Sequence, residues 1–187
     1  MKVAFVTDTS CGVSPAEMKK KDIICIPLQI VFVDQDKTLL DFVDTSNAEI
    51  YKLIREEQRM TTSIPPLGLI EKIFDDIKKQ GYDTVFCIPI NAGLSSAYNA
   101  YRLAAENIGL KFIHVDIYTT ACMQKYCIEL AHKMYNEGVA MEDIIAKIQE
   151  IGDTGLTLVM PGDLDHLKRG GRLTPLAATL AGLLKIK

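Results

Sequence analysis

Apolar residues fall along this chain in short runs separated by stretches of helical spacing. Val3-Ala4-Phe5-Val6, Ile23 to Leu28, Thr84 to Ile90, Lys111 to Asp116 and Leu156 to Met160 have the length of buried strands, about four to eight residues. The second run continues through Gln29 to Val33 as an extended segment, and Asp34-Gln35-Asp36-Lys37 reads as a turn. Between the runs the period changes. Ser14-Pro15-Ala16-Glu17 supplies an N-cap, a Pro at the first helical position and a capping-box Glu, so a short helix to about Lys20 is expected. Asp44-Thr45-Ser46-Asn47 caps a helix from Ala48 to Glu57, with Ile50, Leu53 and Ile54 on one face. Arg59 to Pro66 reads as a polar loop. The stripe Leu69, Ile70, Ile73, Phe74 and Ile77 predicts the next helix, stopped at Gly81. A helix to about Asn107 turns Tyr98, Tyr101, Ala104, Ala105 and Ile108 inward. Further helices are expected over Thr120 to Asn136 and Met141 to Ile151, then a short one to Lys168 and an apolar, helical tail over 173–187.

Strands alternating with helices predict right-handed crossovers and an α/β fold whose mostly parallel sheet is covered on both faces. Ligands in that architecture bind at the carboxyl ends of the strands. There the polar residues collect: Asp8-Thr9-Ser10, Asn91 to Ser96, and Asp116 to Thr120.

The 187 residues are enough to bury about 70% of the unfolded surface in one core. A net charge of −3 leaves no basic excess for phosphates, so nucleic acid is not an expected partner. Asp8 cuts the first apolar run short of a signal-peptide core, and the longest apolar stretch, Leu176 to Leu184, is short of a membrane span. The five cysteines contain no CxxC pair, which suits a reducing, cytoplasmic location.

Three loops carry candidate chemistry. In Asn91-Ala92-Gly93-Leu94-Ser95-Ser96, Gly93 permits a positive φ, and Ser95 or Ser96 would cap the following helix. Helix N–H groups with hydroxyls make an anion site, although capping alone also accounts for the pattern. Thr61-Thr62-Ser63 offers three hydroxyls ahead of a helix, in a loop stiffened by Pro65 and Pro66. Lys168-Arg169-Gly170-Gly171-Arg172 is a basic turn in which Arg172 presents a five-donor fork to an acidic group. Asp8 sits where some phosphotransferases carry a nucleophile, but the second carboxylate they need two residues on is Ser10; a turn-organising role fits better. Ser95 is not in a GxSxG elbow, because position 97 is Ala. An ester or phosphate hydrolase using Asp8 or Ser95 is therefore the alternative reading. Asp41 and Asp44 lack the further ligands a metal would require. No metal or cofactor is expected.

Five segments taken together resemble the DegV family. They are Val6-Thr7-Asp8-Thr9-Ser10; Ile26-Pro27-Leu28-Gln29 with Asp41-Phe42-Val43-Asp44; Thr61-Thr62-Ser63-Ile64-Pro65; Gly93-Leu94-Ser95; and Leu167 to Leu173 with the closing Leu183-Leu184-Lys185-Ile186-Lys187. The order and spacing span nearly the whole chain. The resemblance implies that residues 1–187 are a Rossmann-like, three-layer N-terminal domain. It implies one long-chain fatty acid with its acyl chain in an apolar tunnel and its carboxylate held by hydroxyls, here Thr62 and Ser95 with Thr61, Ser63 and Gly93 beside them. Arg172 would lie at the ligand entrance or partner-facing side. Asp8, Thr9, Ser10 and Asn91 are secondary candidates. It further implies that the chain is not itself a catalyst but presents its ligand to a separate ATP-using fatty acid kinase. The chain departs from the family pattern at Asn91-Ala92, Ser96-Ala97, Ile64, Ala121-Cys122-Met123 and Gly162-Asp163. The family's second, C-terminal domain is expected to be missing, and residues 173–187 would lead toward it. Transient membrane contact and self-association through that tail, as an interaction module, are further expectations.

Overall fold

The computed structural model describes residues 1–158 and Gly171. Residues 1–155 form one compact unit and residues 156–187 a second. The first unit runs β1 (Val3–Asp8), a 3-10 turn (Thr9–Cys11), α1 (Pro15–Lys19), β2 (Ile23–Ile26), β3 (Gln29–Phe32), β4 (Thr38–Leu40), α2 (Asn47–Arg55) and β5 (Met60–Ser63). It continues with α3 (Leu67–Lys79), β6 (Thr84–Cys87), α4 (Ala97–Asn107), β7 (Lys111–His114), α5 (Ala121–Asn136) and α6 (Met141–Thr154).

Among the described residues, four strands form a parallel sheet in the order β2-β1-β6-β7. Their continuous apolar runs are explained by burial on both faces. Alternate residues of β1 enter different clusters. Val3 and Phe5 pack with Ile128, Ala131, Ile144 and Ile148 of α5 and α6. Ala4 and Val6 pack with Ile70, Phe74 and Ile77 of α3 and with Ala97, Tyr101 and Ala105 of α4. The result is the three-layer α/β arrangement expected from the pattern. The chain leaves β1 toward β2 on one side and returns in β6 on the other, so the carboxyl ends of β1 and β6 flank a topological switch point.

Two helix starts follow their caps. Ser14 with Glu17, and Ser46 with Glu49, form complete capping boxes at α1 and α2.

Three expectations are corrected. The extended run Ile23 to Val33 is two strands: Pro27 and Leu28 separate β2 from β3, which joins a second, antiparallel sheet ordered β4-β3-β5. Pro27 has no N–H for a ladder, and the Leu28 N–H turns instead to the Thr9 hydroxyl at 3.1 Å. The segment read as a polar loop contains β5, paired with β3 in register Ile30↔Thr62 and Gln29↔Ser63. Its side chains are half-buried or exposed, so no hydrophobic alternation announces it. Leu156 to Leu158, the described part of the strand expected over Leu156 to Met160, is not in a strand. Val159 and Met160, the short helix to Lys168, Arg172 and the tail 173–187 lie outside the described residues.

Candidate functional site

The site is built at the switch point, from the turn after β1 outward. Asp8 is fully buried and every oxygen it carries is engaged. Oδ1 accepts from the Ser10 N–H at 3.1 Å, from the Ser10 hydroxyl and from Gln124 Nε2 at 3.2 Å. Oδ2 accepts from the Ile90 N–H at 2.9 Å. Burial pushes the Asp8 carboxyl above its ordinary value, and these bonds from Ser10, Ile90 and Gln124 pull against that rise. A carboxylate so enclosed organises two loops: the turn of Thr9–Cys11, which it caps, and the start of the loop Ile90 to Ser96. It does not present a lone pair to a substrate, which removes the geometric basis for Asp8 as a nucleophile.

Gln124 holds the same network from α5. Its amide nitrogen donates to Thr7 Oγ1 at 2.9 Å and approaches Ile88 O at 3.3 Å. Its carbonyl oxygen accepts from Thr120 Oγ1 at 3.1 Å and lies 2.7 Å from Ser10 Oγ, whose one proton it shares with Asp8 Oδ1. Sequence reasoning missed Gln124. The available signal was its spacing: Gln124, Cys127, Ile128 and Ala131 are one buried stripe, and a polar residue on such a stripe requires buried partners.

Thr9 ties the turn to the second sheet. Its oxygen accepts from Leu28 N–H, and its hydroxyl bonds to Asp41. Burial raises the Asp41 carboxyl, and bonds from Thr9 and the Phe42 N–H oppose the rise. From Leu28 the chain enters β3, where Gln29 pairs with Ser63 and its side-chain amide donates to Ile64 O at 2.9 Å. The hydroxyl segment Thr61-Thr62-Ser63 is therefore joined to the Asp8 turn through Gln29, Leu28 and Thr9. Strand pleating puts Thr61 and Ser63 on one face of β5 and Thr62 on the other, beside Ile30.

The loop after β6 is shaped by Asn91. Its side-chain oxygen accepts from Gly93 N–H, and its carbonyl accepts from Leu94 N–H at 2.9 Å and Ser95 N–H at 3.2 Å. Gly93 is not in the left-handed region, contrary to expectation; what position 93 requires is space. A Cβ there would stand 2.8 Å from Asn91 Oδ1. Ser96 occupies the N-cap of α4 without a side-chain bond. Ser95 acts as the cap instead, its Oγ accepting from Ala97 N–H at 3.2 Å. The Ser95 proton is then left to donate, at the positive end of the α4 dipole. A hydroxyl so placed can donate to an acceptor.

Beneath both hydroxyl segments lies one apolar cluster. Ala97 belongs to it with Phe74 and Tyr101, and Ile64, which follows Ser63, and Ile90, which precedes the Ser95 loop, pack against it. The Tyr101 hydroxyl is buried there without a hydrogen-bond partner among the described residues, and burial drives its ionisation well upward. Of the histidines, His114 at the end of β7 stacks on Tyr98 with ring centroids 4.1 Å apart, and burial lowers its proton affinity. His132 packs edge-on against Phe5, and His166 lies outside the described residues. Among the described residues, no cluster of His, Cys, Asp and Glu side chains is placed to hold a metal, and no helix is long and apolar enough to cross a membrane.

Comparison with known proteins places this geometry. A family model described as uncharacterised protein, DegV family, matches residues 2–187. Protein DegV of Bacillus subtilis is 30% identical over 195 aligned positions, which cover all of this chain and 66% of that protein. The crystal structure of DegV, a fatty acid binding protein from Bacillus subtilis, superposes with a TM-score of 0.82 at 27% identity, over 97% of this chain and 64% of that one. A DegV family protein from Thermus thermophilus shares the fold with a TM-score of 0.84 at 22% identity, over 98% of this chain and 65% of that one. The chain thus spans about two thirds of the length of the relatives it matches. With its parallel sheet, its hydroxyl-bearing loops at the switch point and a family match over nearly its whole length, the chain belongs to the DegV family.

Proposed function

We propose that this protein binds a long-chain fatty acid and presents the carboxylate to a separate ATP-dependent kinase. The observation that carries the reading is the Ser95 hydroxyl. It accepts from the first turn of α4 and so keeps its proton for a carboxylate, directly above an apolar cluster. Thr62 supplies the second hydroxyl, with Thr61, Ser63 and Gly93 beside it. The Bacillus subtilis relative described as a fatty acid binding protein supports the same ligand class. The energetics suit a site with little charge. Each buried CH₂ contributes about 0.8 kcal/mol, so the acyl chain provides affinity and the hydroxyls fix the head group.

The chain itself supplies no phosphoryl-transfer machinery in this reading. The kinase transfers the γ-phosphoryl of ATP to a carboxylate oxygen, giving an acyl phosphate and ADP. Such a partnership belongs in the cytoplasm, where ATP is present.

The test is organic extraction of the purified protein with mass spectrometry, followed by titration of the delipidated chain with palmitate and oleate. A bound acyl ligand is expected. Ser95→Ala and Thr62→Ala should each weaken binding about tenfold, the loss of one hydrogen bond to a charged group. A protein that carries no acyl ligand and binds neither acid overturns the proposal.

A further inference from the structure

Two of the five thiols face each other beside the Asp8 turn. Cys11 closes the 3-10 turn, and Cys25 lies in β2 opposite Thr7 of β1. Both aim at one carbonyl: Cys11 Sγ is 4.0 Å and Cys25 Sγ 3.7 Å from Val13 O. They also hydrogen-bond to each other. Both are reduced and packed in the cluster that faces α5 and α6. The remaining thiols are placed differently. Cys87 is in the cluster on the opposite face of the sheet, Cys127 is buried within α5, and Cys122 is exposed.

The mutual bond makes the two sulfurs unequal. When Cys11 ionises, the Cys25 thiol turns from Val13 O to donate to it, which holds the Cys11 thiol below its ordinary value; burial and the Asp8 charge oppose this. The same bond, with burial, pushes the Cys25 thiol up. A dithiol of this kind reacts through one thiolate and resolves through the other thiol. Cys11 is 2% and Cys25 5% exposed, and Cys11 lies in a three-residue turn between half-buried Ser10 and exposed Gly12.

We infer that Cys11 and Cys25 are a modification site: on meeting a hydroperoxide they form an intramolecular disulfide that pins the Asp8 turn to β2. The Cys11 thiolate attacks the peroxide oxygen, the O–O bond breaks, and the leaving hydroxide takes a proton to become water, which leaves a sulfenic acid. The Cys25 sulfur then attacks the Cys11 sulfur. The S–O bond breaks, the S–S bond forms, and the Cys25 proton leaves with the hydroxide as a second water. Two thiols lose two electrons and two protons, and the peroxide is reduced to two waters. A thiol reductant reverses the cross-link.

The test uses the full reduced chain with Cys122→Ser, so that the exposed thiol does not join molecules. Protein treated with hydrogen peroxide is denatured, alkylated with iodoacetamide, digested with trypsin and mapped by mass spectrometry. Cleavage at Lys2, Lys19, Lys21 and Lys37 puts Cys11 and Cys25 in separate peptides. The expected product is the 3–19 peptide linked to the 22–37 peptide, two hydrogens lighter than their sum and lost after dithiothreitol. In Cys25→Ser protein, Cys11 should stop at a sulfenic acid trapped by dimedone. Recovery of both peptides fully alkylated after peroxide, or of Cys11 only as sulfinic acid, overturns the inference. The wild-type map decides the question even where Cys25→Ser does not fold, and the readout does not depend on whether the chain binds a fatty acid.

Discussion

At the scale of single residues, Asp8 shows how a polar group is used in the interior of this protein. It is buried, yet it accepts from two backbone N–H groups and two side chains, which offsets much of the desolvation that would otherwise make it prohibitive. Its net shift is upward, with burial the first cause. The folded state therefore binds this proton more readily than the unfolded chain does. The stability associated with Asp8 is fully present below its ordinary value of 3.8 and declines as pH rises through the raised folded value. Asp8→Asn cannot titrate, and its amide nitrogen would meet the N–H donors of Ile90 or Ser10, destabilising the fold by about 1–3 kcal/mol. The stability advantage of wild type over Asp8→Asn should be largest under acidic conditions and shrink as pH rises, then level off. Urea unfolding of both proteins from acid to neutral pH checks this. An advantage that grows with pH would contradict the assignment. The position of Asp8 at a strand's carboxyl end was legible in the sequence. Its partner Gln124 was not, because the two are 116 positions apart and only packing brings α5 over the turn.

At the scale of elements, local chemistry decided where helices begin and tertiary contacts decided several of the strands. The capping boxes at Ser14 and Ser46 are complete within four residues, so they were readable. β5 was not: Met60-Thr61-Thr62-Ser63 buries little, and it is a strand because β3 offers it a ladder. Helix α6 shows the same limit in another way. Gly152 has the lowest helix propensity of any residue except Pro, which made the expected end at Ile151 reasonable, yet α6 runs to Thr154. The reason is proximity, since a Cβ at 152 would stand 2.9 Å from Ile117 Cα. The obstacle is backbone and has no rotamer to escape into. Gly152→Ala should therefore destabilise by about 1–3 kcal/mol, although propensity alone predicts a gain of about 1 kcal/mol. Denaturant midpoints of the two proteins distinguish these outcomes, and a more stable variant would show that α6 stands off from Ile117.

At the scale of the molecule, the sheet divides the core of the described residues into two clusters, and the candidate site lies where the chain switches sides between β1 and β6. In the proposed function a ligand held at the Ser95 loop binds the folded state alone. At a free concentration of about 100 Kd, palmitate or oleate should stabilise the delipidated chain by about 2.7 kcal/mol. For a chain of this size that raises the thermal midpoint by about 5–11 °C. Differential scanning calorimetry measures the shift, and an unchanged midpoint at saturating ligand would count against fatty acid binding.

The sequence by itself determined the alternation of strands and helices, the two-sided burial of the parallel strands, the capped helix starts and the gathering of Asp8, Asn91 and Ser95 at strand ends. Those features arise from side-chain period and from hydrogen bonds between near neighbours, which neighbouring residues specify. Tertiary structure alone decided that Pro27 divides one apolar run between two sheets, that Thr61 to Ser63 is a strand, that Gln124 closes the Asp8 network, and that Cys11 and Cys25 share the Val13 carbonyl. Each of these depends on backbone groups or buried side chains finding partners far away in the chain, and a partner becomes available only when packing has placed it there.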